Sequence, residues 1–145
     1  MQVRECSEQD ALSLWAAIPE FAESADSAKQ KCAERLPGRK PVFLAAFDGN
    51  APAGFAIAYE RDNDNSLYVW MTGVLPGYRR KGALTALMNH VEEYARKQGH
   101  AKLKIRTRNE RREMLSFLVA EGYDVLSVEA RANTKDSRIN LEKTF

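Results

Sequence analysis

Apolar residues along the chain follow two spacings, and these predict different secondary structures. Between residues 101 and 107, Leu103, Ile105 and Thr107 alternate with basic residues, which is typical of a strand that buries one face. From about Arg80 to Lys97 the apolar residues recur at the helical period, which predicts a helix with one apolar stripe. The stripe consists of Leu84, Leu87, Met88, Val91 and Ala95.

The same spacings, with turn residues between them, divide the chain into strands and helices. Strands are predicted over residues 2–6, 41–47, 53–59, 67–74, 101–107, 123–129 and 138–141. Helices are predicted over residues 11–18, 27–36, 80–97 and 110–121. Ser7 or Asp10 is expected to cap the first helix, and Asn109 the last.

The order of these elements predicts an α+β fold. The strand, helix and strand between residues 67 and 107 form a crossover connection, which makes the two strands parallel. The other strands follow one another through short turns, as antiparallel strands do. We therefore expect a central mixed sheet, mostly antiparallel with one parallel strand pair, flanked by about four helices.

Length and composition favour a single domain over residues 1–145 and exclude several function classes. The 22 Lys and Arg against 20 Asp and Glu give a net charge of +2, which gives no support for a nucleic-acid partner. No apolar run approaches the ~20 residues of a membrane span, so no membrane partner is expected. The two cysteines, Cys6 and Cys32, are too few for a disulfide framework or a metal site, and the first residues lack a signal-peptide pattern. We expect a cytoplasmic protein without a metal.

The stretch from Val74 to Thr85 carries the clearest chemical signal. Pro76 and Gly77 end a predicted strand, and Gly82 falls where the next helix begins. Helix N-termini present free N–H groups and a positive dipole end, which together favour an anion such as phosphate. Taken alone, the motif is also compatible with a basic turn that binds nothing.

The motif Val74-x-Pro76-x-Tyr78-Arg79-x-x-Gly82 followed by a helix resembles the coenzyme A-binding signature of the GNAT family of acyl-CoA N-acyltransferases. Leu84 departs from the family pattern, which usually has Gly or Ala there. A second similarity is Asn109 at the start of the last helix, with Gly122-Tyr123 at its end. Together the two motifs imply the GNAT fold over almost the whole chain, with acetyl-CoA or coenzyme A as the co-substrate.

The resemblance also implies where coenzyme A binds. The pantetheine arm would pair with backbone groups near Val74, and Asn109 would contact the same region or serve only as a helix cap. Arg108, Arg111 and Arg112 either meet the 3′-phosphate or remain solvated. The residues implied at the pyrophosphate are Arg79, Arg80, Lys81, Gly82, Ala83, Leu84 and Thr85.

The catalytic groups are less well defined by the sequence. Many GNAT members have a tyrosine as general acid four residues before the glycine that ends the last helix, and here that position is Leu118. Glu60, at the end of the third strand, is the candidate general base, and Glu20 is the second; a surface position for Glu60 is the alternative.

The resemblance implies transfer of an acetyl group from acetyl-CoA to a primary amine in a ternary complex. The acceptor is expected to be a small-molecule or peptide amine, and the sequence leaves a homodimer open. The alternative function is a non-catalytic module that binds acyl-CoA.

Overall fold

Seven strands form one sheet in the computed structural model, which describes residues 1–145. The strands are β1 (Gln2–Glu5), β2 (Val42–Asp48), β3 (Ala51–Tyr59), β4 (Ser66–Val74), β5 (Lys102–Arg108), β6 (Asp124–Glu129) and β7 (Arg138–Thr144). The helices are α1 (Glu8–Ala16), α2 (Ala25–Arg35), α3 (Ala83–Lys97) and α4 (Arg112–Ala120). Three short 3₁₀ turns lie at Pro19–Phe21, Pro76–Tyr78 and Thr134–Asp136. No helix combines the length and the apolar character that crossing a membrane requires.

The strand order in the sheet is β1-β2-β3-β4-β5-β7-β6. Only β4 and β5 are parallel; every other neighbouring pair is antiparallel. Helix α3 makes the crossover between β4 and β5, as the sequence predicts. The predicted fold class is confirmed: one mixed, mostly antiparallel sheet with a single parallel pair and four helices.

The sheet separates two apolar layers. Leu103 and Ile105 of β5 pack with Leu87 and Val91 of α3 on one face, in the same cluster as Leu118 of α4. The opposite face packs against α1 and α2 through a second cluster, whose largest members are Trp15, Ile18, Phe55, Ile57, Tyr59 and Tyr68. Because successive strand residues point to opposite faces, the basic residues of β5 lie on the α1 and α2 side.

The two parallel strands separate halfway along their length. Ser66–Val69 of β4 pair with Lys102–Ile105 of β5, and no pairing between the two strands follows. Strand β4 nevertheless stays paired with β3 as far as Val74. Beyond Val69, β4 therefore has a sheet neighbour on one side only. Buried backbone groups without partners are costly, so such an edge favours a ligand that supplies hydrogen bonds.

Several element boundaries differ from the predictions. Ser7, rather than Asp10, caps α1, and α2 begins at Ala25 with Ser24 as its cap. The prediction that the third helix starts near Arg80 is wrong, since Arg80 has φ 61° and α3 begins only at Ala83. The prediction that Asn109 caps the last helix is also wrong, because Arg111 precedes the first helical residue. Asn109 instead bonds to the segment before β7, through its backbone N–H to Ser137 O at 2.8 Å and its side chain to Thr134 O at 3.2 Å.

Candidate active site

Six consecutive backbone N–H groups at the start of α3, those of residues 80–85, donate to no carbonyl oxygen within the protein. The first backbone bond of the helix runs from the N–H of Ala86 to Gly82 O, at 3.0 Å. No side chain caps this helix, although side-chain oxygens cap both α1 and α2. The uncapped turn therefore has the donors that a bound anion requires.

The backbone of this turn is shaped to bring those donors together. Arg80 has φ 61° and Gly82 has φ 85°, both in the left-handed region. Left-handed residues in such a turn direct successive N–H groups into a shared concavity that binds anions. A Cβ built on Gly82 meets no heavy atom within 4 Å, so the space in front of the turn is open. A pyrophosphate therefore has both the donors and the room that it needs.

Leu84 does not obstruct the turn, despite its departure from the family pattern. Its side chain packs against the apolar cluster formed by α3, α4 and the sheet, and so points into the protein. The backbone N–H of Leu84 remains among the free donors. The substitution of a larger residue at this position is therefore compatible with an anion at the turn.

Arg79 is directed away from the free N–H groups. Its guanidinium pairs with the carboxylate of Glu20 and donates to Val74 O at 3.2 Å. Lys81 lies with its ammonium 5.6 Å from the centre of the Tyr78 ring. Arg80 and Lys81 are exposed and add positive charge at the turn, whereas Arg79 joins the turn to the segment after α1.

A groove of about 740 Å³ opens where β4 and β5 separate. Its walls include Tyr68, Trp70 and Thr72 from β4, and residues 105–108 from β5. Glu20 and Phe21 bound it on the side of α1 and α2. The groove thus lies at the strand separation, on the face that carries the N-terminal helices.

Gly73 of β4 accounts for the position of Glu20. A Cβ built on Gly73 would lie 2.6 Å from Ile18 Cδ1 and 2.8 Å from Phe21 Cε2. A larger residue would have to displace the Ile18 and Phe21 side chains, so glycine favours the close packing of the Pro19–Phe21 turn on the strand. This close packing holds Glu20 at the end of β4 that leads to the uncapped turn of residues 80–85, which we call the anion turn.

Glu60 lies at the other end of the sheet. Strand β3 runs antiparallel to β4 and Tyr59 pairs with Tyr68, so Glu60 comes before the separation begins at Trp70. At about 3.3 Å a residue, its backbone lies about 10 Å along the strand from Trp70. Its carboxylate lies 3.8 Å from Lys40 Nζ and 3.5 Å from His100 Nε2. The antiparallel register thus carries Glu60 away from the strand separation, and its role as general base stays a prediction.

Position 118 has no tyrosine, and neither Tyr123 nor Tyr94 is placed to substitute for one. Leu118 is fully buried in the apolar core. Tyr123 is also buried, and burial is the largest of the effects that raise the pKa of its hydroxyl far above the ordinary range. Burial likewise raises the pKa of Tyr94 on α3. Neither hydroxyl lines the groove.

Two of the three arginines at the end of β5 and just after it lie on the groove rather than at the anion turn. Arg108 and Arg111 both line it, and the Arg111 guanidinium lies 5.2 Å from the centre of the Phe21 ring. Arg112 is not among the lining residues. Arg106 and Arg138, which the sequence did not single out, line the groove as well. The alternation along β5 could have assigned Arg106 to the same face as Arg108. The position of Arg138 depends on how β7 pairs with β5.

Asn109 lies next to these lining residues, but its side-chain amide is already bonded to Thr134 O. Val74 is half-buried at the end of β4, with its carbonyl accepting from Arg79. No group of three or more His, Cys, Asp or Glu side chains is arranged to hold a metal ion.

Comparisons with known proteins agree on one family and one fold. Residues 8–123 match the model of the acetyltransferase (GNAT) family. The ribosomal-protein-S18-alanine N-acetyltransferase of Escherichia coli superposes with a TM-score of 0.80 at 17% identity, over 99% of this chain and 92% of that one. An aminoglycoside 6′-acetyltransferase type Ii gives 0.79 at 21% identity, over 99% and 97%. An acetyltransferase of Bacillus subtilis in complex with CoA gives 0.78 at 18% identity, over 99% and 98%. No curated protein sequence matches the chain.

Proposed function

The chain belongs to the GNAT acetyltransferase family, and from that premise we propose that it transfers an acetyl group from acetyl-CoA to a primary amine in a ternary complex. The observation that carries this proposal is the run of six free N–H groups at residues 80–85, next to the strand separation. The structural relatives include proteins solved with coenzyme A, which supports the same ligand here.

The pyrophosphate, the pantetheine arm and the thioester of coenzyme A each have a corresponding feature in the protein. The uncapped turn before α3 receives the pyrophosphate through backbone N–H groups and the charges of Arg80 and Lys81. The free edge of β4 beyond Val69 offers hydrogen bonds to the amides of the pantetheine arm, in place of a neighbouring strand. The arm then directs the thioester into the gap between β4 and β5, where the groove opens.

The transfer itself needs only the amine and the thioester to be held together. The amine nitrogen attacks the thioester carbonyl carbon, the carbon–sulfur bond breaks, and the sulfur leaves as a thiolate. A thiol ionises near pH 8.5, so the thiolate leaves without an obligatory acid and takes its proton from solvent. This agrees with a buried leucine at position 118.

The amine must also lose a proton. Glu20 is the carboxylate that the fold holds at the end of β4 near the anion turn, and we assign it as the proton acceptor, directly or through water. Its carboxylate is already paired with the Arg79 guanidinium, so the amine must compete with Arg79 for it. We therefore expect Glu20 to assist the reaction rather than to be indispensable.

The experiment is a screen for release of the coenzyme A thiol from acetyl-CoA across amino acids, N-terminal peptides, polyamines and aminoglycosides. Amine-dependent thiol release matched by N-acetylated product supports the proposal. The competing function, a non-catalytic acyl-CoA-binding module, is favoured by the absence of a tyrosine at position 118. It predicts acetyl-CoA binding with no release on any amine.

Two further expectations stay predictions. The homodimer is one of them. Strand β6, at the edge of the sheet, exposes the apolar side chains of Val125, Leu126 and Val128. The cytoplasmic location is the other.

A further inference from the structure

Four arginines gather beside the groove where β5, β6 and β7 meet. Arg108 and Arg138 lie directly opposite each other in the antiparallel β5–β7 pair, and Arg106 lies two residues before Arg108 on the same face of β5. Arg131 follows β6 and lies near Arg138. We call Arg106, Arg108, Arg131 and Arg138 the arginine cluster.

The carboxylates in contact with the cluster are too few to pair every arginine. Glu129 is shared between Arg106 at 3.5 Å and Arg131 at 3.8 Å. Glu110 lies 3.4 Å from Arg108. Arg138 has no carboxylate oxygen within 4.0 Å, and its guanidinium donates to the backbone carbonyl of Asp136. Within the cluster, Arg138 alone is therefore without an anionic partner.

The cluster is electrostatically unfavourable in the absence of an anion. Like charges directly opposite each other in an antiparallel pair are destabilising. Partial burial, followed by the charges of Arg108, Arg131 and Arg106, lowers the pKa of Arg138, while Asp136 acts in the opposite direction. A carboxylate or phosphate would relieve this repulsion, and the planar guanidinium matches both groups in a two-bonded geometry.

The groove as a whole, with the three cluster arginines that line it, has an excess of positive charge. Its walls carry six cationic side chains and three carboxylates. Each carboxylate already has a partner within the protein: Glu20 pairs with Arg79, Glu23 with Lys31, and Glu34 with Gln30. A polycationic acceptor, such as a polyamine or an aminoglycoside, would thus meet a wall where cations outnumber carboxylates and where Glu34 alone, bonded to a neutral amide, is not ion-paired.

We propose that the arginine cluster binds an anionic group, a carboxylate or a phosphate, carried by the acceptor amine. This inference rests on the proposed function in one respect only: the statement that the bound anion belongs to the acceptor amine depends on the proposed acetyl transfer. Arg138 is the principal contact, since it alone in the cluster has no carboxylate partner. The substrate class is then an amine with a negative charge elsewhere in the molecule.

The kinetic test compares amines that differ only in the anion. We would measure kcat/KM for γ-aminobutyrate against butylamine, and for O-phosphoethanolamine against ethanolamine, at constant ionic strength. Hydrogen bonds to charged groups predict a preference of about tenfold or more for the anionic member of at least one pair, and the better pair identifies carboxylate or phosphate. Arg138→Gln should abolish the preference by raising KM for the anionic amine, with KM for acetyl-CoA unchanged. Arg96→Gln, an exposed arginine on α3, is the matched control and should keep the preference.

A binding test separates this inference from the proposed reaction. The probe is inorganic phosphate, titrated into the coenzyme A complex while the backbone amide resonances of Arg108 and Arg138 are followed by NMR. Saturable shifts in the wild type and in Arg96→Gln, but not in Arg138→Gln, support the anion site even if no amine is acetylated. Absence of saturable shifts in the wild type overturns the inference, as does equal turnover of the charged and neutral amines.

Discussion

Gly82 offers the sharpest test of the anion turn, because the chain contains a matched control at the other end of the same helix. Gly82 has φ 85° before α3 and Gly99 has φ 84° after it, and an added Cβ meets nothing within 4 Å at either position. Valine at either site is forced into the left-handed region, which costs roughly 1–2 kcal/mol. For a chain of this length we expect each variant to lose about 3–7 °C in Tm.

Binding of coenzyme A should distinguish the two variants. Valine at position 82 places two methyl groups in the open space before the free N–H groups, whereas valine at position 99 lies at the far end of α3. Loss of two hydrogen bonds to a charged phosphate, each worth about 1.5 kcal/mol, raises the Kd about a hundredfold. Gly99→Val should bind coenzyme A as the wild type does.

The assay is calorimetric titration of the wild type and both variants with coenzyme A, after circular dichroism has shown that they are folded. If Gly82→Val is too unstable to titrate, Gly82→Ala gives a smaller effect in the same direction. Equal Kd values for Gly82→Val and Gly99→Val would show that the pyrophosphate does not bind at this turn, since only the position of the added methyl groups differs.

The remaining predictions concern the carboxylates. Glu20→Gln should lower kcat by about a hundredfold, the low end of the usual effect of a general base, because the carboxylate is already paired with Arg79. Glu60→Gln should keep the wild-type kcat. A large loss of kcat in Glu60→Gln with none in Glu20→Gln would identify Glu60 as the base instead. Asp64 accepts hydrogen bonds from Lys104 and Ser66, which lower its pKa from 3.8 to about 2. Because the folded pKa is the lower one, Asp64 stabilises the protein above pH 4, and this contribution falls away between about pH 4 and 2. Urea unfolding should show Asp64→Asn less stable by about 0.5–1 kcal/mol at pH 6 and equal to the wild type at pH 2; a constant gap would contradict this.

The sequence predicted the sheet, the parallel pair and the position of the anion turn because each depends on local signals. Alternation identifies strands, and a crossover helix requires parallel neighbours. Gly82 could be placed before a helix from the chain alone, and the open space in front of it agrees with that reading.

The positions of several site residues depend on contacts between strands that are distant in the sequence, and local patterns do not predict these contacts. Alternation assigns Glu60 to a face of β3 but not to an end of the sheet, and the antiparallel register with β4 carries it away from the opening. Asn109 has the residue type of a helix cap, yet its bonds to Thr134 and Ser137 hold it outside the helix. Arg108 and Arg138 are thirty positions apart in the printed sequence, and only the β5–β7 register places them opposite each other.

The most direct test of the account is an NMR titration of the protein with acetyl-CoA, followed through the backbone amides of residues 80–85. These N–H groups donate to no carbonyl within the protein, so each should shift strongly when a pyrophosphate becomes its acceptor. If acetyl-CoA binds as proposed, we expect saturable shifts at these six amides and along the free edge of β4 from Trp70 to Val74. Binding of acetyl-CoA that leaves the amides of residues 80–85 unshifted, or no binding at millimolar concentration, would contradict it.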